Sequence, residues 1–353
     1  MQVGIHIPTE VNPTAHEDIQ YFLEKLVAAC CVVQSKVRFT QFISSEQHQA
    51  IEGCEHVRIV NAGIGSIINR SNKKLNRALK EYPVNVLLAP MTEMLKVQVP
   101  LFLCALNLAR WEQAPNDDPA PLKPTEVRVW KRYCFQASRI MTPTKYLQRR
   151  FLDFFECPLD KMLVNPVGTD TIFQEPTRSI AQSPYVILYS DTLARPVMGR
   201  VRAALEMIAE QCPHQVIIVG PGYSDEPSNW GLRTMRLEQC PPVQMAGLYQ
   251  HCDAFIYPGL HDGSALRVLE AIRADAPVVA ARSGAIEEVA GDMPVYFNPG
   301  STNSIIQALR KVIDNPGAHR EAMKKKSRHL LQTHNWETCA WKFLDALNQF
   351  EQD

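Results

Sequence analysis

Short β-rich runs alternate with helical segments along nearly the whole chain, and no other feature constrains the fold as strongly. In the first half the apolar runs are Val3–Ile7, Val37–Ile43, Val57–Val60, Val84–Ala89, Val99–Leu106 and Ile140–Thr142, with amphipathic segments such as Ile19–Ala29 and Ile67–Tyr82 between them. In the second half they are Tyr185–Tyr189, Gln215–Val219, Arg233–Leu237, Ala254–Tyr257 and Pro277–Ala281, separated by helical periodicity at Val201–Glu210, Val268–Ala274 and Ile305–Ile313. Strands alternating with helices of this length predict βαβ units and parallel sheets. The 353 residues are too many for one ordinary domain and suit two. A polar stretch from Gln174 to Pro184, with Pro176 near one end, reads as a linker. The expected architecture is therefore two similar α/β domains facing each other. The last ~40 residues read as mostly helical, and Trp336, Trp341, Phe343, Leu344 and Leu347 supply an apolar stripe.

Composition narrows the function. Lys plus Arg and Asp plus Glu each count 37, so the chain lacks the basic excess of a dedicated nucleic-acid binder. A hydrophobic fraction of 46% with 21% charged residues excludes a disordered chain, a collagen and a coiled-coil rod. The 10 cysteines include no C-x-x-C, which argues against a zinc ribbon or a thioredoxin motif, and scattered thiols fit a reducing cytoplasm. Met1–Ile7 opens a strand-like run without a basic n-region or a long apolar h-region, so neither a secretory signal nor a transmembrane helix is expected.

The most informative stretch runs from Cys252 to Pro299. It reads as a strand (Ala254–Tyr257), a loop (Pro258–Ser264), a helix (about Ala265–Ala274), a strand (Pro277–Ala281) and a Gly-bearing turn at Ser283–Gly284. Gly259 and Gly263 flank His261 and Asp262 just before the helix. Such a loop can turn helix N-terminal N–H groups toward an anion, usually a phosphate. Glu270 lies about two turns into the helix, where it can reach a sugar hydroxyl. On spacing alone two readings stay open: a ligand site, or an N-cap at Asp262 with a solvated Glu270.

The run Asp262-Gly263-Ser264-Ala265-Leu266-Arg267-Val268-Leu269-Glu270 resembles the Glu-Gly-Phe-Gly-Leu-Pro-x-x-Glu pattern of the retaining nucleotide-sugar glycosyltransferases of family 4, which have the GT-B fold. Pro277-Val278-Val279-Ala280, Gly284, Glu287-Glu288-Val289 and Gly291-Asp292 keep that family's spacing. Leu248-Tyr249 before Cys252–Pro258, Val219-Gly220-Pro221-Gly222, Thr142-Pro143-Thr144, Pro166–Asp170 and Asn335-Trp336-Glu337 are further matches. The resemblance extends from about Arg139 to Trp341 and is thin before that. It implies an acceptor-side Rossmann-like domain at 1–175 with a C-terminal helix (336–353) crossing back to it, and a donor-binding Rossmann-like domain at 176–335, the two facing a central cleft. It implies that Glu270 binds the nucleotide ribose, that Asp262 lies by the donor sugar, and that the N–H groups of Ser264, Ala265 and Leu266, behind Gly263, approach the diphosphate. Gly222 joins the donor side, and no divalent metal or tightly bound cofactor is expected.

The sequence also departs from the pattern. The family's diphosphate-clamping Arg and Lys are replaced by Thr192 and Met198, leaving Arg195 and Arg200 as candidate substitutes, with Arg195 favoured because it precedes Pro196 in the loop. The family's Gly-rich first loop is replaced by Pro8–His16, and the family's His is absent from Leu103–Leu108. On the acceptor side the candidates are His16 and Asn107. Residues 67–82, with Arg70, Lys73, Lys74, Arg77 and Lys80, read either as a peripheral membrane contact or as the solvated face of a core-packed helix. The expected function is transfer of a sugar from a nucleoside diphosphate sugar, with retention, to an unidentified glycan, lipid, protein or small molecule. The alternative is a degenerate GT-B protein that binds nucleotide, sugar or a partner without turnover.

Overall fold

The computed structural model describes residues 1–7, 13–33, 36–43, 51, 54, 57–62, 68–92, 94–107, 124–190, 195–210, 213–220 and 232–352. They fall into two compact units, one of residues up to 107 with 124–168 and the segment from Trp336, the other of residues 169–335. The first unit holds strands β1 (Gln2–His6), β2 (Arg38–Ile43), β3 (Arg58–Asn61), β4 (Val86–Pro90), β5 (Leu101–Cys104), β6 (Arg139–Thr142) and β7 (Met162–Val164), ordered β3-β2-β1-β4-β5-β6-β7. Every pairing is parallel, with Ile5 opposite both Gln41 and Leu88 in the register of the central strands. Parallel strands are covered on both faces, so β4 and β5 are apolar and buried throughout rather than alternating.

Helices α1 (Pro13–Val33), α2 (Ile68–Glu81), α3 (Pro124–Gln136) and α4 (Lys145–Phe155) belong to this unit. In α2, Leu75, Ala78 and Leu79 are buried while Lys73, Lys74, Arg77 and Lys80 are exposed. Its apolar side is thus committed to the unit's own core. The Thr144 hydroxyl caps α4 by accepting from the Leu147 N–H at 3.1 Å. Thr144 is buried, so water does not easily replace that bond. A Thr144→Ala protein is expected to lose about 1–2 kcal/mol, read by urea denaturation; a loss below a few tenths would show that the cap does not hold this helix.

The second unit holds β8 (Tyr185–Tyr189), β9 (Gln215–Val219), β10 (Thr234–Leu237), β11 (Ala254–Tyr257), β12 (Val278–Ala281) and β13 (Val295–Phe297), again all parallel and ordered β10-β9-β8-β11-β12-β13. Its helices are α5 (Arg195–Ile208), α6 (Pro242–His251), α7 (Leu266–Arg273), α8 (Gly284–Ala290), α9 (Thr302–Ile313) and α10 (Pro316–Thr333). One face of the sheet, carrying Val186, Leu188, Val216, Ile218, Ala254, Ile256, Val279 and Ala281, packs with α5 and α9. These are alternate strand residues, as the two-residue period of a strand requires.

Helix α11 (Trp336–Gln352) packs along α1 in the first unit. Trp336 meets the rings of Tyr21 and Phe22 at 6.1 and 5.9 Å, and Phe343 meets Phe102 at 6.5 Å. The buried stripe is Cys339, Ala340, Phe343, Leu344, Ala346 and Leu347. Trp341, expected in that stripe, is 49% exposed instead. Two residues before Phe343, it stands about 200° round the helix from it.

Candidate functional site

In a doubly wound sheet, ligands bind beyond the carboxyl ends of the strands where the strand order reverses. In the second unit that point lies between β8 and β11. On the β8 side of it each strand end is tied to the next strand: the Ser190 N–H past β8 donates to the Val219 carbonyl of β9 at 2.7 Å, and the Gly220 N–H past β9 to the Leu237 carbonyl of β10 at 2.9 Å. Gly220 has φ +113°, and a Cβ on it would stand 2.8 Å from the Ser190 carbonyl oxygen. Only glycine fits both demands.

After β11 the chain forms a tight loop into α7. Asp262 organises it: Oδ1 accepts from the Ser264 N–H (2.8 Å), the Ser264 hydroxyl (2.7 Å) and the Ala265 N–H (3.0 Å), while Oδ2 accepts from the Tyr257 hydroxyl (2.9 Å). The Ser264 hydroxyl oxygen accepts in turn from the Leu266 N–H at 3.3 Å. The three N–H groups expected to face an anion are thus engaged by the loop's own side chains; Asp262 closes the turn before α7, and the N-cap position of the helix falls to Ala265. Gly259 lets the Tyr257 ring lie close over the backbone, since a Cβ there would be 2.8 Å from ring atoms. Ala265 sits at φ +54°, a conformation that costs a non-glycine residue about 1 kcal/mol or more. It stands where the resembled pattern has its second glycine.

Glu270 is 1% exposed, which excludes the reading of a solvated helix residue. Its carboxylate faces Arg267, one turn earlier on α7, with the Arg267 Nη1 at 3.2 Å from Oε2 and 3.5 Å from Oε1. The Arg267 guanidinium also lies over the Tyr189 ring at the end of β8, 5.6 Å from its centroid. Tyr189 in turn meets the Tyr257 ring at 5.6 Å. The cluster sets the titration of its neighbours. Burial, and then the Glu270 charge, pushes the Tyr249 hydroxyl well above its ordinary range. Burial pushes the Cys240 thiol up to about 11 against the pull of Arg267. Both groups are therefore neutral near pH 7.

The other sequence candidates are placed as follows. Helix α5 begins at Arg195, so that residue is not in a loop before the helix. Pro196 falls in the first helical turn, where a missing N–H costs nothing. The side chain of Arg195 lies outside the described residues, as do Gly222, Thr192 and the side chain of His16 in α1. Arg200, inside α5, donates from Nη1 to the Pro299 carbonyl at 3.3 Å. Met198 is fully buried in the core beneath α5. Asn107 is half-buried, three residues past β5 in the first unit. Among the described residues no group of three or more His, Cys, Asp or Glu could hold a metal ion, and no helix is long and apolar enough to cross a membrane. Sequence reasoning missed Arg267 and Tyr189. Arg267 carried a signal, since a residue three before Glu270 shares its helix face; Tyr189 carried none.

Two all-parallel doubly wound units in this order define the GT-B fold of glycosyltransferases. Solved structures agree along the whole chain. Sucrose-phosphate synthase from Thermosynechococcus elongatus superposes with a TM-score of 0.78 at 14% identity, covering 99% of both chains. Anabaena HepE in complex with UDP and glucose superposes with a TM-score of 0.72 at 14% identity, covering 99% of this chain and 100% of that one. More particularly, residues 191–315, within the second unit, match the family described as Glycosyl transferases group 1. Among curated relatives, the MMP alpha-(1->4)-mannosyltransferase of Mycolicibacterium hassiacum is 22% identical over 232 residues, 61% of this chain and 54% of that protein. The match thus spans about half the length of that relative. The sulfoquinovosyl transferase SQD2 of Arabidopsis thaliana is 30% identical over 104 residues, 28% of this chain and 20% of that protein.

Proposed function

We propose that the chain is a glycosyltransferase that takes a sugar from a nucleoside diphosphate sugar and passes it, with retention of configuration, to an acceptor yet to be identified. The observation that carries this is Glu270, a carboxylate 1% exposed at the switch point of the second unit, within the stretch that matches group 1 glycosyl transferases and eight residues after the loop-closing Asp262. A buried carboxylate there accepts hydrogen bonds from a ribose diol, and water does not compete. Residues 176–335 serve the donor, and residues 1–175 with 336–353 serve the acceptor. Retention is accounted for by a front-face displacement. The bond from the anomeric carbon to the diphosphate breaks as the acceptor oxygen bonds on the same face, and the departing phosphate oxygen takes the acceptor proton. No protein nucleophile is needed in such a displacement.

A second reading, binding without turnover, is favoured by one specific observation. Met198 stands near the position of the family's clamping Lys and is buried in the core, so α5 offers no cation there. One experiment separates the two. Purified protein is incubated with a panel of nucleotide sugars, mannose-bearing donors included because mannosyltransferases are among the relatives. Nucleoside diphosphate release and the anomeric configuration of the product are then followed by NMR. Release with a retained anomer is the expected result. Saturable donor binding with no release establishes the second reading, and an inverted product overturns retention.

A further inference from the structure

We infer that Arg267 is the phosphate-binding cation of the donor site, holding the diphosphate of the nucleotide while Glu270 holds its ribose; this rests on the donor-site reading above.

The first observation is position. Arg267 belongs to the helix that follows β11, yet its guanidinium reaches back over Tyr189 at the end of β8. It therefore spans the gap between the two strands at which the sheet order reverses, the place where an α/β sheet binds its ligand.

The second is the sign of its charge. Arg267 lies in the first turn of α7, where the helix dipole presents partial positive charge and favours anions. A cation there needs opposite charge beside it. Glu270 supplies one through Nη1, and the side chain of Arg267 keeps 25% of its surface exposed. A guanidinium carries its donors in a planar fork that matches two phosphate oxygens, so one edge can stay with Glu270 as the other takes an anion. Tyr189 holds the guanidinium plane from beneath in either case.

The third is the loop. The N–H groups of Ser264, Ala265 and Leu266 already donate to Asp262 and Ser264. Backbone donors are thus engaged where a phosphate-cradling loop would present them. Among the described residues Arg282, just past β12, is also at this edge of the sheet, but it pairs with Glu287 and lies over the Tyr296 ring at 5.0 Å, away from β8. Arg267 differs in that Glu270 and Tyr189, both of which it meets, lie at the switch point.

The test compares ligands with and without the diphosphate. UDP, GDP, uridine and guanosine are titrated calorimetrically into wild-type and Arg267→Ala proteins. Arg267→Ala is expected to weaken the diphosphates at least tenfold and to change the nucleosides by less than twofold, with Arg267→Lys recovering part of the loss. If diphosphate and nucleoside weaken equally, Arg267 only positions Glu270 and the inference is wrong; it is equally wrong if nothing changes. Should the alanine protein fail to fold, Arg267→Gln keeps the stem and gives the same two readings. Wild-type protein that binds no nucleoside diphosphate overturns this inference together with the donor-site reading, whereas wild-type binding that survives Arg267→Ala overturns this inference alone.

Discussion

A Glu270→Gln protein is expected to bind UDP or GDP about 10- to 150-fold more weakly than the wild type, corresponding to ~1.5–3 kcal/mol. Gln keeps the volume of Glu, so packing around α7 is preserved and the change is one of charge. Glu270 is 1% exposed, and hydrogen bonds to a charged group shielded from water stand at the strong end of the range. The substitution also leaves Arg267 without its carboxylate. Because Arg267 is 25% exposed, it can turn toward water, and the loss of fold stability is expected to be modest, about 1 kcal/mol. Isothermal titration reads the affinity, and a thermal melt in the absence of ligand reads the stability. Wild-type affinity in the Gln protein would remove Glu270 from the site. A protein that melts far lower but binds equally well when folded would make the carboxylate purely structural.

Gly220→Ala is expected to destabilise the second unit by about 3 kcal/mol. Two costs add. A φ of +113° is a conformation that alanine rarely adopts, and such strain costs ~1–3 kcal/mol. The new Cβ also meets the Ser190 carbonyl oxygen at 2.8 Å. That oxygen belongs to backbone at the end of β8 and cannot swing aside as a side chain would, so relief requires β8 and β9 to separate, adding ~1–3 kcal/mol. Tyr189 precedes Ser190, so the same shift displaces the ring beneath Arg267 and weakens nucleotide binding as well. Urea denaturation followed by a probe in the second unit measures the effect, and a loss under about 1 kcal/mol would show that the strand ends have room to part.

Much of this was legible along the chain. The bounds of β8, β9 and β11 coincide with the apolar runs 185–189, 215–219 and 254–257, because strands buried on both faces are continuous apolar segments. Helix α7 was placed within a residue at each end. Two strands were missed because their local signal is weak: β7 and β13 are three residues each, too short for a pattern to stand out. Trp341 was misjudged because hydrophobicity marks a residue as apolar without saying which side of the helix it occupies.

The sequence by itself determined the parallel α/β architecture, the helical end of the chain and the prominence of Glu270, because each follows from local periodicity or from a short motif read within one loop and helix; the return of the final helix to the first unit was implied only by the family resemblance. Only the tertiary structure decided what those residues meet. It showed that Asp262 is occupied in closing its own loop, that Met198 lies in the core, and that Arg267 rests between Glu270 and Tyr189. Glu270 and Arg267 are one helical turn apart and Tyr189 is distant in the chain; the parallel pairing of β8 with β11 brings them together. No spacing rule along a sequence records that contact, because strand order in a sheet is set by the packing of the whole unit.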